Sequence, residues 1–214
     1  MISPLALVAV GRMYKPVPHV FHRSPVEEDL YAIIRLGGSL IQRDVSAAVK
    51  LDSRIPYSKG RKWSIKKARG SDIQLVESSD YQDFHVLLSS VLERHGVTPV
   101  HSLSELQLLF ARFPLNIRLF EARSSGLLLA GAVIFDCGHT VHTQYLATSQ
   151  ACRELFALDL LIDHLLGETF SARSFFNFGV STEQKGKVLN EGLHQQKEGF
   201  GARAVVHDIY PLSL

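Results

Sequence analysis

The sequence predicts an α/β chain with a mixed, mostly antiparallel sheet flanked by helices. Three observations carry that prediction. From residue 71 to residue 214, strand-like and helix-like segments follow in the order β-α-α-β-β-β-α-β-α-β. Three of the strands are consecutive and joined only by short turns, which demands antiparallel pairing. Helices separate the later strands, which allows a parallel pair and covers the sheet. The composition is that of an ordinary globule large enough for a sizeable core. Its 23 basic and 21 acidic side chains leave a net charge of +2, so the chain as a whole is not a polyanion binder.

The first ten residues, MISPLALVAV, are apolar, too short to span a bilayer and lack a basic lead. They read as a buried strand, continued through Tyr14 and paired with HVFH at His19 to His22. A helix is expected from about Glu27 to Leu36. The stretch RIPYSKGRKWSIKKAR, Arg54 to Arg69, then stands apart: seven basic residues, no acid and the only tryptophan, Trp63. A boundary is placed just after it, near Gly70, dividing the chain into residues 1–70 and 71–214.

Beyond Gly70, DIQLVES reads as a strand. Phe84, Leu87, Leu88, Val91 and Leu92 recur at helical spacing, and Gly96 stops that helix. Ser102 and Glu105 form a capping-box pattern for the next helix, which Pro114 ends. NIRLFEA, LLLAGAVIFD and TVHTQYLAT read as three strands with turns at Ser124–Gly126 and Cys137–Gly138. RELFALDLLIDHLL carries Leu155, Leu158, Leu161, Ile162 and Leu165 on one helical face. RSFFNFGV reads as a strand. Ser181 and Gln184 are expected to cap a last helix ending at Gly199, before a final strand ARAVVHDIY.

Two distant cysteines, Cys137 and Cys152, make no disulfide framework and fit a reducing, cytoplasmic setting. Strand alternation puts His142 and Gln144 on one side of their strand and Tyr145 on the other. His142 reads either as a general base, because imidazole titrates near neutrality, or as a histidine packed on the sheet. Glu183 reads as a base or as an acid favoured near a helix start. Asn190 reads as a cofactor ligand or a solvated polar residue, and Tyr210 as a general acid or a buried, hydrogen-bonded tyrosine. The CGHTVH segment, with Cys137, His139 and His142, lacks a fourth ligand and the usual zinc spacing, so no metal is expected. The basic run around Trp63 reads as a tRNA contact, as a contact to a phosphorylated acceptor through Arg61 and Lys62, or as a solvated helix face.

Four stretches resemble a known family: EEDLYAIIRLGGSLIQRDVS, SKGRKWSIKKA, HTQYLATSQACRELFALDLL and FFNFGVSTEQKGKVLNEGLHQQKEGFGARAVVHDIY. They are similar to the FemAB-like, peptidyltransferase-type branch of the GNAT acyltransferases, in particular to bacterial members. The resemblance implies a GNAT-like fold in which residues 1–70 are a partial first module plus a basic connecting helix, and residues 71–214 a complete second one. It implies transfer of an acyl group from acetyl-CoA or another acyl-CoA to an amine of a small or sugar-linked acceptor. The pyrophosphate of that co-substrate is expected at the helix start formed by Ser149, Ala151, Cys152 and Arg153. Its pantetheine is expected along Gln144, Tyr145, Leu146, Ala147 and Thr148, whose N–H groups from Tyr145 to Ala147 would hold the oxyanion, with Asn190 nearby. Lys197, in KEGFG, matches a family lysine that lies near a phosphorylated substrate. Family members carry Gly where this chain has Cys152 and Phe156, and Asp where it has Asn177. The alternatives are an aminoacyl-tRNA-dependent transferase and a non-catalytic binding module. A homodimer that completes the first module is a further expectation, and membrane insertion is not.

Overall fold

The computed structural model describes residues 12–94 and 96–212. The apolar opening therefore lies outside the described residues, except that Arg12–Tyr14 forms strand β1. Prolines at 16 and 18 immediately precede the segment expected to pair with it, and His19–Phe21 is a single 3-10 turn, not a strand. Helix α1, Glu28–Arg35, follows.

The next element is one the sequence reading did not identify. Strand β2 spans Gln42–Lys50, and Ser46 to Val49 are buried on both faces. A strand covered on both sides loses the alternation by which strands are recognised. Helix α2, Lys59–Arg69, begins at Ser58, whose side chain accepts from the Arg61 amide.

Strand β3, Gln74–Ser78, and helix α3, Tyr81–Glu93, match expectation. So does helix α4, Leu103–Arg112, where the Ser102 and Glu105 side chains each satisfy the other's backbone amide. Strands β4, Ile117–Ser124, β5, Leu127–Asp136, and β6, Thr140–Thr148, form a three-strand meander.

Two later expectations are corrected. The helix read across Arg153 to Leu166 is broken into α5, Cys152–Leu155, and α6, Ala157–His164, with a π-helical turn at Leu165–Thr169. Phe156 makes the break at φ +54°, a left-handed conformation in which a helix cannot continue. After strand β7, Phe175–Val180, the residues expected to open a helix make a hairpin of β8, Thr182–Glu183, and β9, Val188–Leu189. Gln184, Lys185 and Gly186 all have positive φ there. Helix α7 starts only at Glu191, runs to Glu198, and is capped by Asn190, whose Oδ1 accepts from the Leu193 amide at 3.0 Å. Strand β10, Arg203–Leu212, closes the chain.

Eight strands make one sheet in the order β1-β10-β2-β7-β6-β5-β4-β3. Every neighbouring pair is antiparallel except β6 and β7. Residues before Gly70 thus place β2 between β10 and β7. One face is covered by α2, α6 and the residues after α7, around Ile65, Leu161, Phe176 and Phe200. The other is covered at one end by α3 and α4, around Tyr81, Phe84 and Leu106, and at the other end by Val20 of the 3-10 turn.

Candidate functional site

Strands β6 and β7 pair over only three positions, Thr140 with Phe175, Val141 with Phe176 and His142 with Asn177. Beyond His142 they part, so the β7-facing edge of β6 from Thr143 to Thr148 has no ladder partner. Alternate backbone groups on such an edge remain available to a ligand. The outer end of β7 is turned by Gly179, at φ +74°, whose amide donates to Asn177 Oδ1 at 2.6 Å.

β6 also carries a bulge. Ile134 pairs with Thr143 and Val133 with Tyr145, leaving Gln144 as the extra residue. This corrects the expected alternation. Phe135 pairs with His142 and Val133 with Tyr145, and both partners belong to the core under α3 and α4. His142 and Tyr145 therefore share that face.

On the opposite face, a groove of about 900 Å³ opens between α2, the α5–α6 break and α7. Of the expected ligands, Thr148, Cys152, Arg153 and Arg61 line it. Arg61 organises its floor. It is paired with Asp159 of α6, donates Nη2 to the Gln196 carbonyl of α7 at 3.3 Å, and lies 4.3 Å from the Phe200 ring centroid. Asp159, itself buried, also accepts from the Ser64 hydroxyl. One guanidinium and one carboxylate thus tie three helices together. Asp159 was not singled out in the sequence, where it looks like any polar residue of an amphipathic helix.

The rim is aromatic and cationic. Trp63, 58% exposed, meets Phe156 edge to face with ring centroids 5.3 Å apart. Lys67 Nζ lies 5.5 Å from the Trp63 ring and 5.0 Å from the Phe156 ring. Lys62 is on the outer side of α2, away from the groove, beside Lys66 and Tyr57.

The expected pyrophosphate cradle does not form at the start of α5. The Cys152 amide donates to Ser149 Oγ and the Arg153 amide to the Gln150 carbonyl, each at 3.2 Å. Cys152 is buried, and Phe156 sits where a residue without Cβ would let backbone approach a phosphate. The residues present do not fit the diphosphate of a CoA at this turn. Ala151 precedes the same turn, Ala147 is buried in the α3–α4 core, and Leu146 packs against the core under α6.

The other candidates are spread out. Tyr145 accepts from the His101 amide at 3.2 Å and contacts His101 Nδ1 at 2.8 Å, which anchors the bulge to the loop before α4. Glu183 accepts from Asn190 at the exposed hairpin. Tyr210 lies on β10 and donates to Asp208 at 3.3 Å. Three strand spacings, about 14 Å, separate β10 from β6, so Tyr210 and His142 do not reach one reacting atom. Lys197 is buried, and its ammonium donates to the Gly179 carbonyl at 2.9 Å and to the Val180 carbonyl and Ser181 hydroxyl, each at 2.7 Å. Burial pushes it down to about 8. These bonds tie the outer end of β7 to α7.

His142 sits where the strands begin to part, with Asn177 as its cross-strand neighbour. Burial holds its imidazole below the ordinary value, opposed by a hydrogen bond with Asn177 and reinforced by the nearby Lys197 charge. It is therefore neutral at physiological pH, and its buried Nδ1 has no hydrogen-bond partner among the described residues. No group of three or more His, Cys, Asp or Glu suited to a metal occurs among the described residues.

No family model and no curated protein sequence matches the chain. Solved structures do. FemX superposes over 95% of this chain and 72% of its own, with a TM-score of 0.72 at 12% identity. An Agrobacterium fabrum structure, described as the C-terminal domain of a lysylphosphatidylglycerol synthetase, covers 95% and 67%, with a TM-score of 0.65 at 13% identity. L-PGS from Bacillus licheniformis covers 86% and 65%, with a TM-score of 0.62 at 14% identity. At these identities the likeness is one of fold: this chain has the GNAT-like fold in the form shared with FemX.

Proposed function

We propose that this chain is a transferase that moves an acyl or aminoacyl group from an activated donor to an amine. One observation carries the reading: β6 and β7 part at His142, with an open strand edge beyond it and a groove at the end of that edge. The donor carbonyl would lie along the free edge of β6, where backbone N–H groups between Thr143 and Thr148 would donate to the developing oxyanion. The amine nitrogen attacks the carbonyl carbon, the bond to the donor oxygen breaks, and the leaving alcohol takes a proton. His142, neutral and with an unpartnered Nδ1, is the group placed to remove the proton of the attacking ammonium.

The donor favoured by the groove is the aminoacyl end of a tRNA. Trp63 and Phe156 offer faces on which a base stacks, and Lys67 and Arg153 supply charge for phosphates. The fold shared with FemX and with the lysylphosphatidylglycerol synthetase domain is consistent with a transferase, and the second of those names contains a lysyl, that is an aminoacyl, group. Acyl-CoA is the second reading, favoured by the groove's volume, and its diphosphate would then have to lie in the groove outside the α5 turn. The test is binding of uncharged tRNA and of acetyl-CoA, each titrated against the unchanged chain and Trp63→Ala. The expected result is salt-dependent tRNA binding weakened about tenfold by Trp63→Ala, the loss of one stacked base, and no binding of acetyl-CoA. Acetyl-CoA binding that raises the melting temperature, with no tRNA retained, would select the second reading. Binding of neither ligand would overturn both.

A further inference from the structure

We infer that the outer face of α1 is a contact through which two copies of this chain pair about a two-fold axis. Among the described residues the helix meets the body through its inner face. Ile33 is buried there, and Asp29 accepts from the Tyr14 hydroxyl at 2.7 Å. The outer face carries Tyr31, 70% exposed, and Ile34, 65% exposed, followed by Leu36, 71% exposed. Leu40 and Ile41 continue the exposed apolar run past the turn at Gly37. Single exposed apolar residues need no explanation, but five within eleven positions of one segment make a patch of the kind that marks an interface.

The charges on the same face say what covers it. Glu27 and Glu28 stand at its start and Arg35 at its end, all exposed. None of the ion pairs among the described residues uses any of the three. Residues three and four apart share a helix face, so Glu27 or Glu28, Tyr31, and Ile34 or Arg35 form one stripe. The stripe is apolar in the middle, acidic at one end and basic at the other. Such a stripe complements itself when a copy is laid on it antiparallel. A two-fold axis beside Tyr31 sets that ring against its own counterpart. It also sets Arg35 of one copy against Glu27 and Glu28 of the other, twice over. The helix dipoles then run in opposite directions, which is also favourable. A parallel arrangement would place like charges together. The contact is isologous and closes at two copies.

Sedimentation velocity of the full chain over a wide concentration range tests this. The expected result is a reversible monomer–dimer equilibrium. Arg35→Glu should weaken it at least about tenfold, because each copy then sets acid against acid at both ends. The combined change Glu27→Lys, Glu28→Lys and Arg35→Glu should recover the dimer, since it only exchanges the two ends. All three residues are exposed, so at concentrations low enough to keep every chain monomeric the melting temperature of each variant should lie within a few degrees of the unchanged chain. A chain that stays monomeric at every concentration overturns the inference. So does a dimer indifferent to Arg35→Glu, or a triple variant that fails to pair.

Discussion

The ammonium of Lys197 has three protons and faces three oxygens of its own chain. In the sequence it satisfied two descriptions at once, a cation in a last helical turn and the lysine of a family motif. The fold adds a third: a clamp on the outer end of β7. A buried polar row crosses the same region. His142 neighbours Asn177, Asn177 Nδ2 donates to Ser46 at 3.4 Å, and Ser46 contacts His207 Nε2 at 3.0 Å. Burial, with the charge of Lys15, pushes His207 from 6.5 down to about 4. Between those values the unfolded chain binds a proton that the folded chain refuses. Stability is therefore lost as pH falls from 6.5 towards 4, and the contribution is complete above 6.5. Denaturant unfolding at several pH values should show this loss. His207→Gln, which keeps a donor for Ser46, should make the curve flatter across that window and leave it parallel above pH 7.

Among the elements, legibility followed the locality of the signal. The capping box of α4 and the meander of β4, β5 and β6 are written in neighbouring residues and appear where the sequence placed them. β2 was missed because its strand character comes from distant partners. Arg43 pairs with Asp208, and the small Ser46, Ala47 and Ala48 fit between β10 and β7. The start of α7 was misplaced because Ser181 and Gln184 mimic a cap that the hairpin turn overrides. The groove was half legible. Cys152 and Phe156 were marked as departures from glycine, but the bulge at Gln144 and the Arg61–Asp159 pair depend on register and on a third helix. Phe156 gives an element-scale test. In a helix interior alanine outranks glycine, but the left-handed region reverses that order. Phe156→Gly should therefore be about 1 kcal/mol more stable than Phe156→Ala by denaturant unfolding. Equal or reversed stabilities would remove the argument that this break is strained.

For the molecule as a whole, the arrangement that matters is the place of β2. The sequence boundary near Gly70 falls between α2 and β3, yet the sheet passes through it. β2 supplies the strand between β10 and β7, and α2 supplies the floor and rim of the groove. A chain beginning at Ser71 would leave β7 and β10 without the strand that joins them and would open the core at Ile65 and Ala68. It should show no cooperative melting transition, whereas the full chain should show one. A truncated chain that melts cooperatively would mean that the later residues close their own sheet.

The same placement sets an order on synthesis. A strand made early waits between partners made late. β2 leaves the ribosome with both edges bare, β7 arrives more than a hundred residues later, and β10 follows β7. Until β10 emerges, the centre of the sheet is an open template to which any passing strand can add. The growing chain should depend on a holding chaperone from the emergence of β2 to that of β10, and a stall between β6 and β7, which leaves both edges of β2 bare, should do more harm than one between β7 and β10.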